Sequence, residues 1–222
     1  MKNEPFSPPE AQDSSVDEKN GFPVTVGYEA HRRTVALRKV RLRKFLQTII
    51  PPHLPHYTLE IGCGHGDFLV AYGKKFPSTF GVGIDRLGGR LEKCERKRHR
   101  LGLNHLVFVR SEANEFLECC PKYIRFGHVF ILYPDPWPKR RHADRRLFQP
   151  SFLKLLERHV LPFGKVFFRT DNSHYYSQAL RLLTTHHSWI LTPDTLWPCD
   201  VSTRFAQLTG TVPHNVVFTY NP

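Results

Sequence analysis

The segment from Tyr133 to Arg146, YPDPWPKRRHADRR, sets one carboxylate and one indole among prolines and then continues as a run of cations. Each proline fixes its own φ angle and restricts the residue before it, so Asp135 and Trp137 should lie on a stiff loop. Such a loop can hold a flat ring, and cations beside it can hold phosphates. The pattern predicts chemistry on a nucleic-acid base, whereas the alternative is a rigid surface turn followed by a solvated basic loop. The candidate phosphate-binding cations are Lys139, Arg141, Arg145 and Arg146.

A glycine-rich segment follows the first predicted strand. Gly62, Gly64 and Gly66 recur at every second position between Glu60 and Asp67. Glycines at this spacing allow a ligand to approach the backbone and the chain to turn sharply into a helix. A dinucleotide fingerprint would have its third glycine one position later, where this chain carries a carboxylate. Negative charge here disfavours a pyrophosphate and suits a cation, such as the sulfonium and amino groups of S-adenosylmethionine. A purely structural tight turn is the alternative.

Two further acids follow the next two predicted strands. Asp85 lies about twenty residues beyond the glycines, where an acid can accept hydrogen bonds from both ribose hydroxyls of a nucleoside. Because Asp is also a good N-cap residue, capping of the following helix is the alternative. Glu112, followed by Ala113, comes after the third strand, where the amino group of an adenine can lie. A simple acid at a helix N-terminus is the alternative for this position.

The chain of 222 residues has a net charge of +12, and its cations are clustered. Three basic clusters occupy residues 31–44, residues 86–100 and the run after Trp137. Clustered cations bind polyanions through counterion release, so the affinity for such a partner should fall steeply with salt. Binding to a membrane surface is the competing interpretation, but that function favours one basic amphipathic helix over three separate clusters.

Several classes of protein are disfavoured by what the sequence lacks. No run approaches the roughly 20 apolar residues of a membrane span, and the N-terminus has no apolar signal-peptide core. The 5 cysteines show no C-x-x-C spacing, and the 13 histidines form no metal-binding motif. We therefore expect a cytoplasmic protein with reduced thiols, without a metal and without a membrane anchor. The protein is expected to be a monomer or a homodimer.

The order of elements predicts an α/β fold. Residues 1–22 are polar and poor in large apolar side chains, which predicts a disordered tail before a single domain over 23–222. A basic helix over residues 29–49 should end at the following prolines. Predicted strands then alternate with predicted helices, which indicates a mostly parallel, doubly wound sheet with an antiparallel last strand. The strands are 57–61, 80–85, 106–110, 128–132, 165–170 and 216–220, and the helices are 67–76, 88–101, 113–119, 150–159 and 173–185.

These motifs together resemble those of the bacterial tRNA (guanine-N7-)-methyltransferase family, over roughly residues 55–220. The shared features are the glycine loop after Glu60, the segment ending in Asp85, the Pro-Asp-Pro-Trp box with its cations, Thr170-Asp171 and Thr203-Arg204-Phe205. The glycine loop is common to many methyltransferases, whereas the Pro-Asp-Pro-Trp box is specific. The resemblance implies a class I, Rossmann-like fold, S-adenosylmethionine as methyl donor, and tRNA as partner. The implied product is 7-methylguanosine at the variable-loop guanine 46.

The resemblance also implies roles for individual residues. The donor pocket would be lined by Glu60, Gly62, Gly64, Gly66, Asp85, Glu112, Ala113 and Asp135. The RNA or its target guanine would be met by Lys139, Asp171, Thr203, Arg204 and Phe205. Two positions depart from the family pattern. Ala206 stands where the family usually has a glutamate, and Glu112 stands where Asp or Asn is more frequent.

The chemistry of guanine N7 favours Asp135 as the catalytic residue. N7 carries a lone pair and no proton, so methyl transfer to it needs no general base. A carboxylate near the acceptor would stabilise the positive charge that arrives in the purine, and the prolines make Asp135 the first candidate before Asp171. An ion pair of Asp135 with Arg141 or Arg145 is the structural alternative. Two other functions stay open: methylation of an exocyclic amino group on a base or a protein, and RNA binding without catalysis.

Overall fold

The computed structural model describes residues 26–199, 201, 210 and 212–222. Contacts between Cα atoms divide the chain into a short unit that ends at Arg41 and a large unit from Leu42 to Pro222. The described part of the short unit is helical and belongs to α1 (Val26–Ile49). The large unit contains the last turns of α1 and all of the elements that build the candidate site.

Strands and helices alternate along the large unit. The strands are β1 (Tyr57–Ile61), β2 (Phe80–Asp85), β3 (Leu106–Arg110), β4 (Phe126–Leu132), β5 (Val160–Thr170), β6 (Trp189–Leu191) and β7 (His214–Tyr220). The helices are α2 (Asp67–Lys75), α3 (Gly88–Arg100), α4 (Ala113–Cys119), α5 (Pro150–Leu156) and α6 (Ser173–Thr184), with a 3₁₀ helix, η1 (Arg140–Arg145).

The strands form one seven-stranded sheet in the order β3-β2-β1-β4-β5-β7-β6. Strands β1 to β5 pair in parallel, and β7 runs antiparallel to both of its neighbours. The central strands β1 and β2 are buried along their whole length, because helices cover both faces of the sheet. The predicted α/β class with an antiparallel final strand is confirmed.

The chain order fixes where a ligand can bind. From β1 the chain moves outward to β2 and β3, and it then returns to the other side of β1 with β4. The connections therefore diverge between β1 and β4, which opens a crevice at the carboxyl ends of these two strands. The glycine loop (residues 62–66) leaves β1 at this point, and the Pro-Asp-Pro-Trp loop (residues 133–138) leaves β4 beside it.

Candidate active site

The glycine loop is a backbone turn that only glycine adopts without strain. Gly62, Gly64 and Gly66 have φ angles of 76°, 53° and 72°, all in the left-handed region. A Cβ atom added to Gly66 would lie 2.9 Å from the Sγ atom of Cys94. The loop is tied to β2, because the N–H groups of Gly62 and Cys63 donate to the carbonyl of Ile84 at 2.8 and 2.9 Å. Sequence and structure therefore agree on a fixed turn.

A pocket lies under this turn, and Glu60 is its buried acid. Its walls are formed by the glycine loop, Phe68, Arg90, Leu132 and Tyr133. Glu60 is 2% exposed, and its Oε2 atom has no hydrogen-bond partner among the described residues. Burial raises the pKa of the Glu60 carboxyl well above its usual value, and nearby acidic groups act in the same direction. A buried acceptor in a pocket can accept from a donor or cation of a ligand.

Asp85 is 7% exposed and holds the glycine loop beside the pocket, although it is not one of the residues that line the pocket. Its Oδ2 atom accepts from the Gly64 N–H at 3.0 Å, and its Oδ1 atom accepts from the Leu87 N–H at 2.8 Å. The second bond is made just before α3, so the predicted capping alternative describes a contact that is present. A carboxylate has about four lone-pair positions, which leaves acceptors for hydroxyl groups of a ligand.

Cations of the second basic cluster are partly committed to acids around the pocket. Lys97 forms an ion pair with Asp67, and Arg90 lies 3.7 Å from Asp85. Arg98 donates to Glu95 at 2.7 Å within α3. These pairs lower the charge that the cluster offers to a polyanion, and the sequence pattern did not reveal them.

The Pro-Asp-Pro-Trp loop carries Asp135 at the open side of the rim. The side chain of Asp135 is 67% exposed, and its Oδ2 atom accepts from Arg86 at 3.1 Å. Arg86 also lies 3.8 Å from the Glu112 carboxylate, which is 68% exposed at the start of α4. The alternative prediction was an ion pair of Asp135 with Arg141 or Arg145. Asp135 does form an ion pair, but its partner is Arg86. The position of Arg86, directly after β2, was the one signal that could have indicated this contact.

The cations that follow this loop fall into two kinds. Lys139 and Arg141 are exposed, and the guanidinium of Arg145 lies 5.1 Å from the centre of the Trp137 ring. Arg146, in contrast, is 7% exposed and donates from Nε to the Pro136 carbonyl at 2.7 Å. The prediction that Arg146 binds phosphate is wrong, because its donors are directed at the protein itself.

The remaining predicted residues lie on the β5 side of the rim. Asp171 is half-buried and directly follows β5, the strand that pairs with β4 up to Leu132. Nearby, Arg169 lies over the Trp197 ring at 4.3 Å and donates to Asn215 at 2.7 Å. Thr203, Arg204, Phe205 and Ala206 lie outside the described residues. The structure thus brings Glu60, Asp85, Glu112, Asp135 and Asp171 to one rim.

Within residues 26–199 and the described C-terminal residues, no group of three or more His, Cys, Asp or Glu side chains is arranged to hold a metal ion. In the same part of the chain, no helix combines the length and apolar character needed to cross a bilayer.

Sequence comparison identifies the family. Residues 55–211 match a family model described as "Putative methyltransferase". The tRNA (guanine-N(7)-)-methyltransferase of Bartonella quintana is 33% identical over 69% of this chain and 70% of its own length. The enzymes of the same name from Mycoplasma pneumoniae and Geobacter metallireducens are 36% and 38% identical over 56% and 53% of this chain. The chain spans 60% and 56% of those two relatives.

Solved structures support the fold. An rRNA methylase from Streptococcus thermophilus superposes with a TM-score of 0.54 at 9% identity, covering 81% of this chain and 94% of its own. TrmN from Thermus thermophilus gives 0.55 at 16% identity, covering 85% of this chain and 52% of its own. At these identities the likeness concerns the Rossmann-like methyltransferase fold alone. With the family match and the similarity to its relatives, the chain belongs to the methyltransferase family that contains the bacterial tRNA (guanine-N(7)-)-methyltransferases.

Proposed function

We propose that this protein transfers a methyl group from S-adenosylmethionine to N7 of a guanine in tRNA, with the variable-loop guanine 46 as acceptor. The names of its relatives support the reaction and the substrate class. The observation that carries the proposal is the buried Glu60 carboxylate, which lines the pocket with an oxygen that has no partner among the described residues.

The buried acid of the pocket supports a cationic nucleoside as the ligand. A buried carboxylate oxygen without a partner is costly, and a positive group within reach would favour the ionised form of the carboxyl. S-adenosylmethionine, when bound, supplies an activated methyl group on a sulfonium and also carries an amino group. Glu60 would pair with one of these cations, through a hydrogen bond from the amino group or through electrostatic attraction to the sulfonium, and the backbone of the glycine loop would allow close approach of the ligand. Asp85 would accept from the ribose hydroxyls, with Glu112 and Ala113 beside the adenine.

On the acceptor side, the protein needs to position the guanine and not to deprotonate it. N7 has no proton to remove, so alignment is the main task, and alignment can supply roughly 7–11 kcal/mol of the barrier. We propose that Asp135 stabilises the positive charge that develops in the purine and accepts from the guanine N1 and N2 hydrogens. Asp171, on the neighbouring strand end, is the second candidate for this role.

Exposed cations beside this loop would hold the tRNA backbone. Lys139, Arg141 and Arg145 are accessible, and contacts of this type set the register of an RNA without reading its sequence. Thr203, Arg204 and Phe205 stay proposed contacts to the RNA or its target guanine on the strength of the family resemblance. All five cysteines are free thiols, which supports the cytoplasm as the compartment.

Incubation with unmodified tRNA and labelled S-adenosylmethionine tests the proposal. We expect incorporation of label, and borohydride–aniline scission should then cut the product at the variable-loop guanine. Heat stabilisation by S-adenosylhomocysteine is a companion measurement, because a simple RNA-binding protein would not show it. If the label is found on an exocyclic amino group, that group and not N7 is the acceptor. No incorporation and no stabilisation by a folded protein would refute the proposal.

A further inference from the structure

Arg146 is a buried cation in the segment that the sequence marks as basic. Its Nε atom donates to the Pro136 carbonyl at 2.7 Å, and its Nη2 atom donates to the Trp137 carbonyl at 3.3 Å. Its Nη1 atom donates to the Gln178 side chain on α6, and its guanidinium lies 5.3 Å from the centre of the Tyr175 ring. One planar group thus joins two carbonyls of the Pro-Asp-Pro-Trp loop to α6. We call these contacts of Arg146 with Pro136, Trp137 and Gln178 the joint.

The loop needs such a joint, because its backbone is strained at both ends. Tyr133 and Trp137 have φ angles of 50° and 42°, a region that bulky side chains rarely occupy. Strained residues persist only where the surroundings hold them. The Tyr133 N–H donates to the Arg169 carbonyl at 2.7 Å, which fixes the first end of the loop. Arg146 fixes the second end, and Asp135 lies between the two attachments.

The helix that receives Arg146 is itself rigid at this point. Tyr175 is fully buried, and its hydroxyl oxygen accepts from the Phe148 N–H at 3.2 Å. The Tyr175 N–H donates to Asn172 at 2.8 Å, in the cap of α6. The Gln149 side chain donates to the Arg146 carbonyl at 3.3 Å and so holds the backbone of the arginine. The joint therefore connects the loop to the core and not to solvent.

We propose that Arg146, with Gln178 as its anchor, is a positioning residue that sets Asp135 for methyl transfer. This inference rests on the function proposed above. Because Arg146 acts through the loop, its loss should lower the rate of the chemical step and leave the affinities for donor and tRNA nearly unchanged. A lysine cannot replace it, since an ammonium lacks the planar fork that reaches two carbonyls and an amide together.

The test compares Arg146→Lys and Gln178→Ala with the parent in single-turnover methylation of tRNA. We expect the rate to fall about 10- to 100-fold in Arg146→Lys and less in Gln178→Ala, because small misplacements of reacting groups have effects of this size. The double variant should be no slower than Arg146→Lys, because both changes break the same joint. The control is Arg125→Lys, an exposed arginine before β4 that donates to the Glu157 carbonyl at 3.4 Å and should keep the parent rate.

A second readout follows the loop without any methylation. Acrylamide quenching of Trp137 fluorescence, obtained as the difference between each variant and the same variant with Trp137→Phe, should increase in Arg146→Lys. If the parent does not methylate tRNA, the proposed function fails, and this quenching still decides whether Arg146 fixes the loop. If Arg146→Lys does not fold, the rate and quenching of Gln178→Ala decide.

Two results would overturn the inference. Rates within about twofold of the parent and unchanged quenching in both variants would show that the loop keeps its geometry without the joint. A lower tRNA affinity with a shallower salt dependence, at unchanged quenching, would instead make Arg146 a phosphate contact.

Discussion

Two regions of the rim place their acids in opposite surroundings. One is the pocket beneath the glycine loop, and the other is the Pro-Asp-Pro-Trp loop. Glu60 is 2% exposed and has an oxygen without a partner among the described residues, whereas the side chain of Asp135 is 67% exposed and is paired with Arg86. Burial makes the charge of Glu60 costly until a cation arrives, so this acid suits a small ligand with a fixed charge. Exposure would let Asp135 meet a large substrate, while the hydrogen bonds at the two ends of its loop hold the backbone in place. In the proposed function, the same carboxylate chemistry would thus serve two tasks, according to whether the side chain or the backbone is constrained.

The largest effect should come from the exposed acid. We expect Asp135→Asn to lower the single-turnover rate about 100-fold, because the neutral amide cannot stabilise the charge that arrives in the purine. Thermal stability and tRNA affinity should change little, since the side chain lies at the surface. The matched control is Asp144→Asn, an exposed acid in η1 that should keep the parent rate. Equal losses in both variants, or unfolding of Asp135→Asn, would remove Asp135 from catalysis.

Glu60→Gln removes the charge of the buried acid and so tests its half of the comparison. The affinity for S-adenosylmethionine should fall about 30-fold or more, because a buried charge that pairs with the ligand is lost. Calorimetry with S-adenosylhomocysteine, which keeps the amino group and lacks the sulfonium, sharpens the result. An equal loss for both ligands indicates that Glu60 accepts from the amine, and a larger loss for the donor indicates the sulfonium. Unchanged affinity for both would exclude Glu60 from the pocket's function.

The same Glu60→Gln variant should be more stable than the parent at neutral pH, although it binds the donor more weakly. The pKa of Glu60 is raised in the folded protein, so the folded state binds more protons than the unfolded state above the usual pKa of a glutamate. Parent stability therefore falls as the pH rises through the window between these two values. Glu60→Gln has no such proton, and its thermal midpoint at neutral pH should exceed that of the parent. Donor affinity and stability would then be opposed at this residue.

The raised pKa of Glu60 also predicts a pH dependence of binding. A cation binds the ionised carboxylate. Donor affinity should therefore decrease as the pH falls below the pKa that Glu60 has in the protein without ligand, by at most about tenfold per pH unit. Binding in this range should release protons, which calorimetry detects as heats that differ between buffers of different ionisation enthalpy. The dependence should vanish in Glu60→Gln. A parent without proton release would show that Glu60 is already ionised.

The smallest effect is expected at the exposed cations. Arg141→Ala combined with Arg145→Ala should weaken tRNA binding about threefold at moderate salt and lower the salt slope by about 1 to 2. Donor affinity should stay unchanged, because neither residue lines the pocket. Filter binding over a range of salt concentrations measures both quantities. An unchanged slope would remove these two arginines from the RNA footprint.

Several elements could be predicted closely because their sequence signals are local. The bounds of β1, β2 and β3 match the prediction, since each is a short apolar run ended by Gly, Asp or Arg. β6 was missed, because three residues give no periodicity and its pairing with β7 is long-range. η1 was also missed, because its six residues are mostly polar and no apolar face indicates a helix.

By itself, the sequence determined the alternating fold, the glycine turn and the set of acids that reach one rim, because these depend on strand order and on local backbone sterics. Only the tertiary structure decided how each charge is used. Arg145 and Arg146 are adjacent and identical in type, yet Arg145 is exposed over the half-buried indole of Trp137 and Arg146 is buried against carbonyls and α6. The partner of Asp135 is likewise Arg86, from a different strand end. Desolvation and ion pairing depend on groups that are distant along the chain, so no local pattern can report them.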